Sequence, residues 1–273
     1  MPAARNATRF GQRLASAAAL AFLAATASGC ASKSSMTTGS VTKSYAKSVS
    51  NMSSGELEGA AAQLGRAYVK NPKDKATALA YSNVLQMSGS NEQALAVMRK
   101  LAIEQPKDRE VLSAYGKSLA GVGQFEQALD AVRRAQTPEY PDWKLLSAEA
   151  AILDQLGQSA GARNLYRKAL TLQPDEPTIL SNLGMSYVLE GDLKTAELHM
   201  RKGASQPGAD SRVRQNLALV VGLQGRFQEA EQIAGQELSP EQAQANVAYL
   251  RRMLSQQNAW SELKDKKEAK NTN

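Results

Sequence analysis

The stretch LSAYGKSLAGVGQFEQALDAVRRA (Leu112–Ala135) returns two 34-residue periods later as LSNLGMSYVLEGDLKTAELHMRKG (Leu180–Gly203). Leu112, Tyr115 and Leu119, then Phe125, Ala128, Val132 and Ala135, recur three or four apart, the spacing of a buried helix face. Each copy therefore reads as two helices joined by a short reversal at its glycine. Working outward, Gly55, Gly89, Gly123, Gly157, Gly191 and Gly225 hold one 34-residue register, and five residues after each stand Ala60, Ala94, Ala128, Ala162, Ala196 and Ala230. The glycines are expected at the turns, where a left-handed backbone ends a helix at no Cβ cost. The alanines are expected inside each second helix, where a larger side chain would force its partner away.

Pro72, Pro106 and Pro174 follow their alanines by twelve residues and close each second helix, while Pro141, Pro207 and Pro240 stand near the other boundaries. The set of Leu-Gly, aromatic, Ala and Pro positions resembles the tetratricopeptide repeat, over roughly 41–238 and about six helix-turn-helix repeats. The resemblance implies an all-α solenoid with an extended concave surface. Both ends deviate. Repeat one has a Ser-rich first helix with Val41, Tyr45, Val49 and Met52 as its apolar positions. After repeat six, Ser239-Pro240-Glu241 begins a capping helix over 239–258, with Val247, Leu250, Met253 and Leu254 on one face and Tyr249 beside them. Residues 259–273 form a polar, charged tail expected to fray.

Composition removes most chemistry. The chain has 273 residues, and its 33 Lys and Arg against 26 Asp and Glu give a net charge of +7. From Asn51 to Trp260 the two signs balance at 23 each, so the excess belongs to the ends and a nucleic-acid partner is not expected. One Cys and one His exclude an internal disulfide, a structural zinc site and a Ser-His or Cys-His pair. No nucleophile elbow, phosphate-binding loop or dinucleotide fingerprint occurs. His199 lies in a helical stretch and reads as packing or surface. The sequence points to no enzyme, no cofactor and no metal.

Residues 1–29 carry Arg5, Arg9 and Arg13 with no acid, then a run from Leu14 to Ala25, the pattern of a signal peptide. That run is too short to span a bilayer as a helix. Ala27-Ser28-Gly29-Cys30 resembles the lipobox of bacterial lipoproteins, with Ala27 where the family most often has Leu; Ala25-Thr26-Ala27 also fits an ordinary cleavage site. The resemblance implies lipidation at Cys30. With Ala31 and Ser32 next, it also implies an outer-membrane, periplasm-facing location. Residues 30–40 would be the lipidated Cys and a Ser/Thr/Lys tether.

Function is expected on the concave surface. By the repeat family's mapping, the surface is mixed and polar in repeats three and four, with Lys117 among its residues. It becomes apolar at Met185, Val188 and Leu189 of repeat five and at Leu219 and Leu223 of repeat six. Such a stripe receives either an amphipathic partner helix or the chain's own capping helix. Asn83, Asn182 and Asn216 offer amides to an extended peptide or serve as filler in the repeat. The basic lining needed for a C-terminal carboxylate is missing, since Leu79, Ala114, Ala148 and Asn182 occupy those positions.

RQNLAL (214–219), GLQGRFQEAE (222–231), LSP (238–240) and NVAYLRRML (246–254) resemble the TadD proteins of tight-adherence (Flp) pilus assembly, which are tetratricopeptide lipoproteins. Membership implies a non-enzymatic outer-membrane adaptor for the pilus secretion apparatus, by analogy pilotin-like, gripping a secretin or other pilus-assembly subunit. The alternative is a lipoprotein scaffold that docks peptidoglycan-modifying enzymes.

Overall fold

The turn chemistry between repeats decides where each helix begins. In the computed structural model, which describes residues 52–137, 139 and 141–271 (backbone alone from 257), Asp74, Asp108, Asp142, Glu176 and Asp210 each sit immediately before a helix. Each accepts a hydrogen bond from a backbone N–H of the first turn, satisfying donors the helix itself leaves open. Four of these acids follow a proline by one or two residues (Pro72, Pro106, Pro141 and Pro174), so one short segment stops a helix and starts the next.

Twelve helices result among the described residues, and they fall into two units that part after Gln158. The first unit holds α1 (Ser54–Lys70), α2 (Lys75–Met87), α3 (Asn91–Glu104), α4 (Arg109–Gly121), α5 (Phe125–Ala135) and α6 (Trp143–Gln155). The second holds α7 (Ser159–Leu172), α8 (Pro177–Glu190), α9 (Leu193–Ala204), α10 (Ser211–Leu223), α11 (Phe227–Ala234) and α12 (Pro240–Asn271). Within each unit consecutive helices pack as antiparallel neighbours. The first helices of successive repeats also touch one another, α2 with α4 and α4 with α6, and likewise α8 with α10 and α10 with α12. Those helices form the inner layer of each unit and the second helices its outer layer.

The alanine register is the tightest part of the packing. Ala94, Ala128, Ala162 and Ala196 are fully buried, and Ala60 and Ala230 nearly so. Ala94, Ala128 and Ala196 each face a small residue twelve positions earlier. A Cβ on Gly184 would lie 2.9 Å from the Ala196 carbonyl oxygen, and one on Gly116 would lie 3.2 Å from that of Ala128. Ser82 places its hydroxyl 3.5 Å from the Ala94 oxygen in the same way.

Five of the six register glycines are left-handed, with φ between 74° and 84° at Gly89, Gly123, Gly157, Gly191 and Gly225. Gly55 is not. It is the second residue of α1, because Ser53 and Glu56 form a reciprocal capping box that starts the helix upstream. The other correction concerns the tail. Helix α12 runs 32 residues to Asn271, past the expected end at 258 and through the segment expected to fray. Lys, Glu and Ala dominate that segment and are strong helix formers. Residues 41–51, which hold most of the expected first helix of repeat one, and Cys30 with its flanks lie outside the described residues.

Candidate functional site

In the first unit the inner layer is tied laterally by polar side chains about one repeat apart. Gln86 of α2 donates to Ser118 of α4 at 2.8 Å, and the Ser82 and Ser118 hydroxyls lie 3.4 Å apart in the buried seam. Lys75 pairs with Asp108 at 2.7 Å and with Glu110 at 2.8 Å. Above this floor Asn83, Met87, Lys117, Lys144 and Gln155 are exposed. Solvent reaches Lys117, yet protein surrounds it. Desolvation pulls its ammonium below the ordinary lysine range, Lys144 adds repulsion and Asp142 opposes both. This face offers the amides of Asn83 and Gln155 and the ammonium groups of Lys117 and Lys144 to a binding partner.

In the second unit the same layer turns apolar. Met185, Leu189 and Leu223 are half-buried, while Val188 and Leu219 are buried. Met185 and Leu223 pack against a cluster containing Val188, Leu217, Val220 and, from the capping helix, Val247. Helix α12 lies against α10 and α11, where Leu250 reaches within 2.5 Å of the site a Cβ on Gly222 would occupy. Asn216 donates to Ser181 of α8 at 3.0 Å, which ties the two inner helices together as Gln86 and Ser118 do in the first unit. Asn182 is half-buried beside it, and Asn83 alone of the three amides is exposed.

His199 stacks on Tyr187 with ring centroids 5.5 Å apart and planes within 8°, while Arg163 lies 5.0 Å from the same tyrosine's ring centroid. Burial lowers the imidazole's pKa from its ordinary value, and Arg167 and Lys202 lower it further. That is a packing environment. Among the described residues no group of three His, Cys, Asp or Glu lies where it could hold a metal, and no helix is long and apolar enough to cross a membrane.

Sequence reasoning missed the second small-residue register, Ser82, Gly116, Ala150, Gly184 and Ala218, which is legible at the same 34-residue spacing. It also missed the ion-pair network of Glu197, Arg201, Arg226 and Glu229 between α9 and α11. There Arg226, Gln224 and Arg201 hold the Glu197 carboxyl down at about 2, against a desolvation that raises it.

Two-layer stacks of helix pairs define a helical-repeat protein whose work is binding other proteins. Tetratricopeptide-repeat family models match residues 51–117 and 148–211, and the chain is a tetratricopeptide repeat protein. Among solved structures, PilW, a widely conserved type IV pilus biogenesis factor, is similar at 18% identity and TM-score 0.55, over 92% of this chain and 100% of PilW. A thermophilic tetratricopeptide protein of Thermus thermophilus is similar at 23% identity and TM-score 0.54, over 61% of this chain and 91% of that one. A chain of the APC/C hetero-tetramer Cut9–Hcn1 reaches TM-score 0.58 at 16% identity over 77% of this chain, which spans only 42% of that protein. At these identities the likeness shows the fold alone. No curated protein matches the sequence.

Proposed function

We propose that this chain is an outer-membrane lipoprotein adaptor in assembly of a tight-adherence (Flp) pilus, gripping a secretin or other pilus-assembly subunit in its inner faces. Support comes from one conjunction. A lone cysteine in a lipobox-like context precedes a tetratricopeptide body whose segment 214–254 resembles TadD proteins. PilW, of the same fold, is a type IV pilus biogenesis factor. The half-buried Met185, Leu189 and Leu223 suit the apolar face of an amphipathic helix, and the thioether of Met185 adapts to its shape.

Acyl chains on Cys30 hold the body at the membrane, since each buried methylene contributes about 0.8 kcal/mol. Crosslinking in cells expressing the tagged chain, followed by purification from outer membranes, tests both halves. Recovery of a secretin or pilus subunit with the wild type, and loss of membrane association in Cys30→Ser, is the expected result. Recovery of murein enzymes without any channel subunit overturns the pilus assignment, and membrane association unchanged in Cys30→Ser overturns the lipid anchor.

A further inference from the structure

The repeat supplies its own control for one feature of the outer layer. In the first repeat boundary Tyr68 of α1 lies over Tyr81 of α2, ring centroids 5.7 Å apart and tilted by 38°. One period later the tyrosine of the inner helix is kept as Tyr115 of α4, but Ala102 of α3 stands where Tyr68 stood. The missing ring leaves a crevice of about 130 Å³ over Tyr115 and Leu112, walled by Arg99 and Ile103 of α3 and Arg134 of α5. One period later still, Arg133 and Glu149 occupy the positions of Arg99 and Tyr115 and close the gap as an ion pair at 2.8 Å.

The crevice between those two is the unfilled one. Ile103 is 74% exposed at its lip, an unusual place for a large aliphatic side chain. Arg99 has no ion-pair partner among the described residues, and Arg134 reaches Asp130 only at 3.4 Å while donating to the Pro106 carbonyl at 3.2 Å. The preceding repeat shows what fits over the tyrosine, a single aromatic ring. The two guanidinium groups set the charge of what surrounds it.

We propose that this outer-layer crevice is a second protein-docking site, which accepts one aromatic side chain of a partner segment flanked by Asp or Glu. The ring takes the place Tyr68 fills one repeat earlier and stacks on Tyr115, while the flanking carboxylates pair with Arg99 and Arg134. The site lies on the opposite layer from the inner face, so it leaves that face free for another ligand.

The test is a methyl and aromatic NMR titration of the full chain with N-acetyl-Glu-Phe-Glu-amide. The comparison peptides are N-acetyl-Glu-Ala-Glu-amide and N-acetyl-Lys-Phe-Lys-amide. The expected result is saturable shifts at the Ile103 and Leu112 methyls and the Tyr115 ring, with the methyl of Met87 on the inner face unmoved. Binding of the alanine and lysine peptides should be about tenfold weaker or lost, as expected from removing the ring or reversing two ion pairs. Ala102→Tyr supplies the missing ring from the chain itself and should abolish the shifts. Arg99→Ala should narrow the gap between the Glu and Lys peptides. No shift at Ile103, equal binding of all three peptides, or binding that survives Ala102→Tyr overturns the proposal. Shifts confined to Met87 overturn it too, and would assign the peptide to the inner face instead.

Discussion

Gly184→Ala probes a close backbone approach between the two helices of one repeat. Gly184 lies buried in α8, where an added methyl would stand 2.7 Å from Met200 Cγ and 2.9 Å from the Ala196 carbonyl oxygen. Met200 can change rotamer. The carbonyl belongs to the α9 backbone and yields only if the two helices separate by about half an ångström, an overpacking cost near the top of the usual range of about 1–3 kcal/mol. Ala is the better helix former by about 1 kcal/mol, which offsets part of that cost. A net loss of about 2 kcal/mol corresponds to a fall of about 4–8 °C in the thermal midpoint of a chain this size. Gly116→Ala should cost less, because the Ala128 oxygen is 3.2 Å away and the close atom at 2.6 Å is a valine methyl. Gly55→Ala meets nothing within 4 Å and should raise the midpoint by a degree or two. Thermal unfolding followed by circular dichroism at 222 nm measures all three. A Gly184→Ala midpoint at or above wild type would refute the close-approach reasoning.

Three further outcomes follow from the same geometry. The folded Glu197 carboxyl, held at about 2 against an ordinary 4.5, contributes stability that is complete above the ordinary value and lost as pH falls towards the folded one. The gap between the two values bounds that contribution at about 3 kcal/mol, and its half-exposed arginine partners screen it to about 1–2 kcal/mol. Glu197→Gln should therefore lower the midpoint at pH 7 and flatten its decline between pH 5 and 2, and parallel wild-type and mutant curves would remove the network from the stability account. Ala128→Leu, at a fully buried position, should cost about 1–3 kcal/mol by urea unfolding, and an unchanged transition would contradict the register. Under the proposed adaptor role, Met185→Asp with Leu189→Asp should abolish capture of a pilus-assembly subunit while leaving the far-ultraviolet spectrum intact; capture at wild-type strength would remove the apolar inner face from that role.

The part of the fold visible in the sequence is the part set by size. Ala128 and Gly116 let two backbones approach, and only small residues recur at their 34-residue spacings, Ala at the first and Ser, Gly or Ala at the second. Gly55 misled because a local hydrogen-bond choice, Ser53 with Glu56, set the helix start and left the glycine in ordinary helical backbone. The ties between repeats were hidden for a different reason. Gln86 with Ser118, Lys75 with Asp108, Asn216 with Ser181 and Arg226 with Glu197 lie 32, 33, 35 and 29 residues apart. Each is close to one period, but the exact offset depends on how far a long side chain reaches. The inner-face residues were placed by the family's mapping; what they bind is not written in spacing at all.

The C-terminal resemblance takes on a different meaning once its residues are located. Helix α11 is only eight residues long and buries just Ala230 and Ala234, where α5 buries four residues, so this helix has little apolar area of its own to hold it in place. Polar ties take up the deficit. Arg214 pairs with Glu237 and donates to the Ala209 carbonyl at 2.9 Å, Arg226 reaches back to Glu197, and Arg251 of the capping helix lies 4.7 Å from the Phe227 ring centroid. Ser239 and Gln242 cap α12 reciprocally, and Gly222 admits Leu250. The residues that make 214–254 distinctive are thus largely those that close the stack, and a related chain would share them whatever it binds. Met185 and Leu223 pack against the closing cluster that holds Val247, so changes there carry a cost to the fold, whereas the half-buried Leu189 lies outside that cluster and is the inner-face position that can differ between related chains most cheaply.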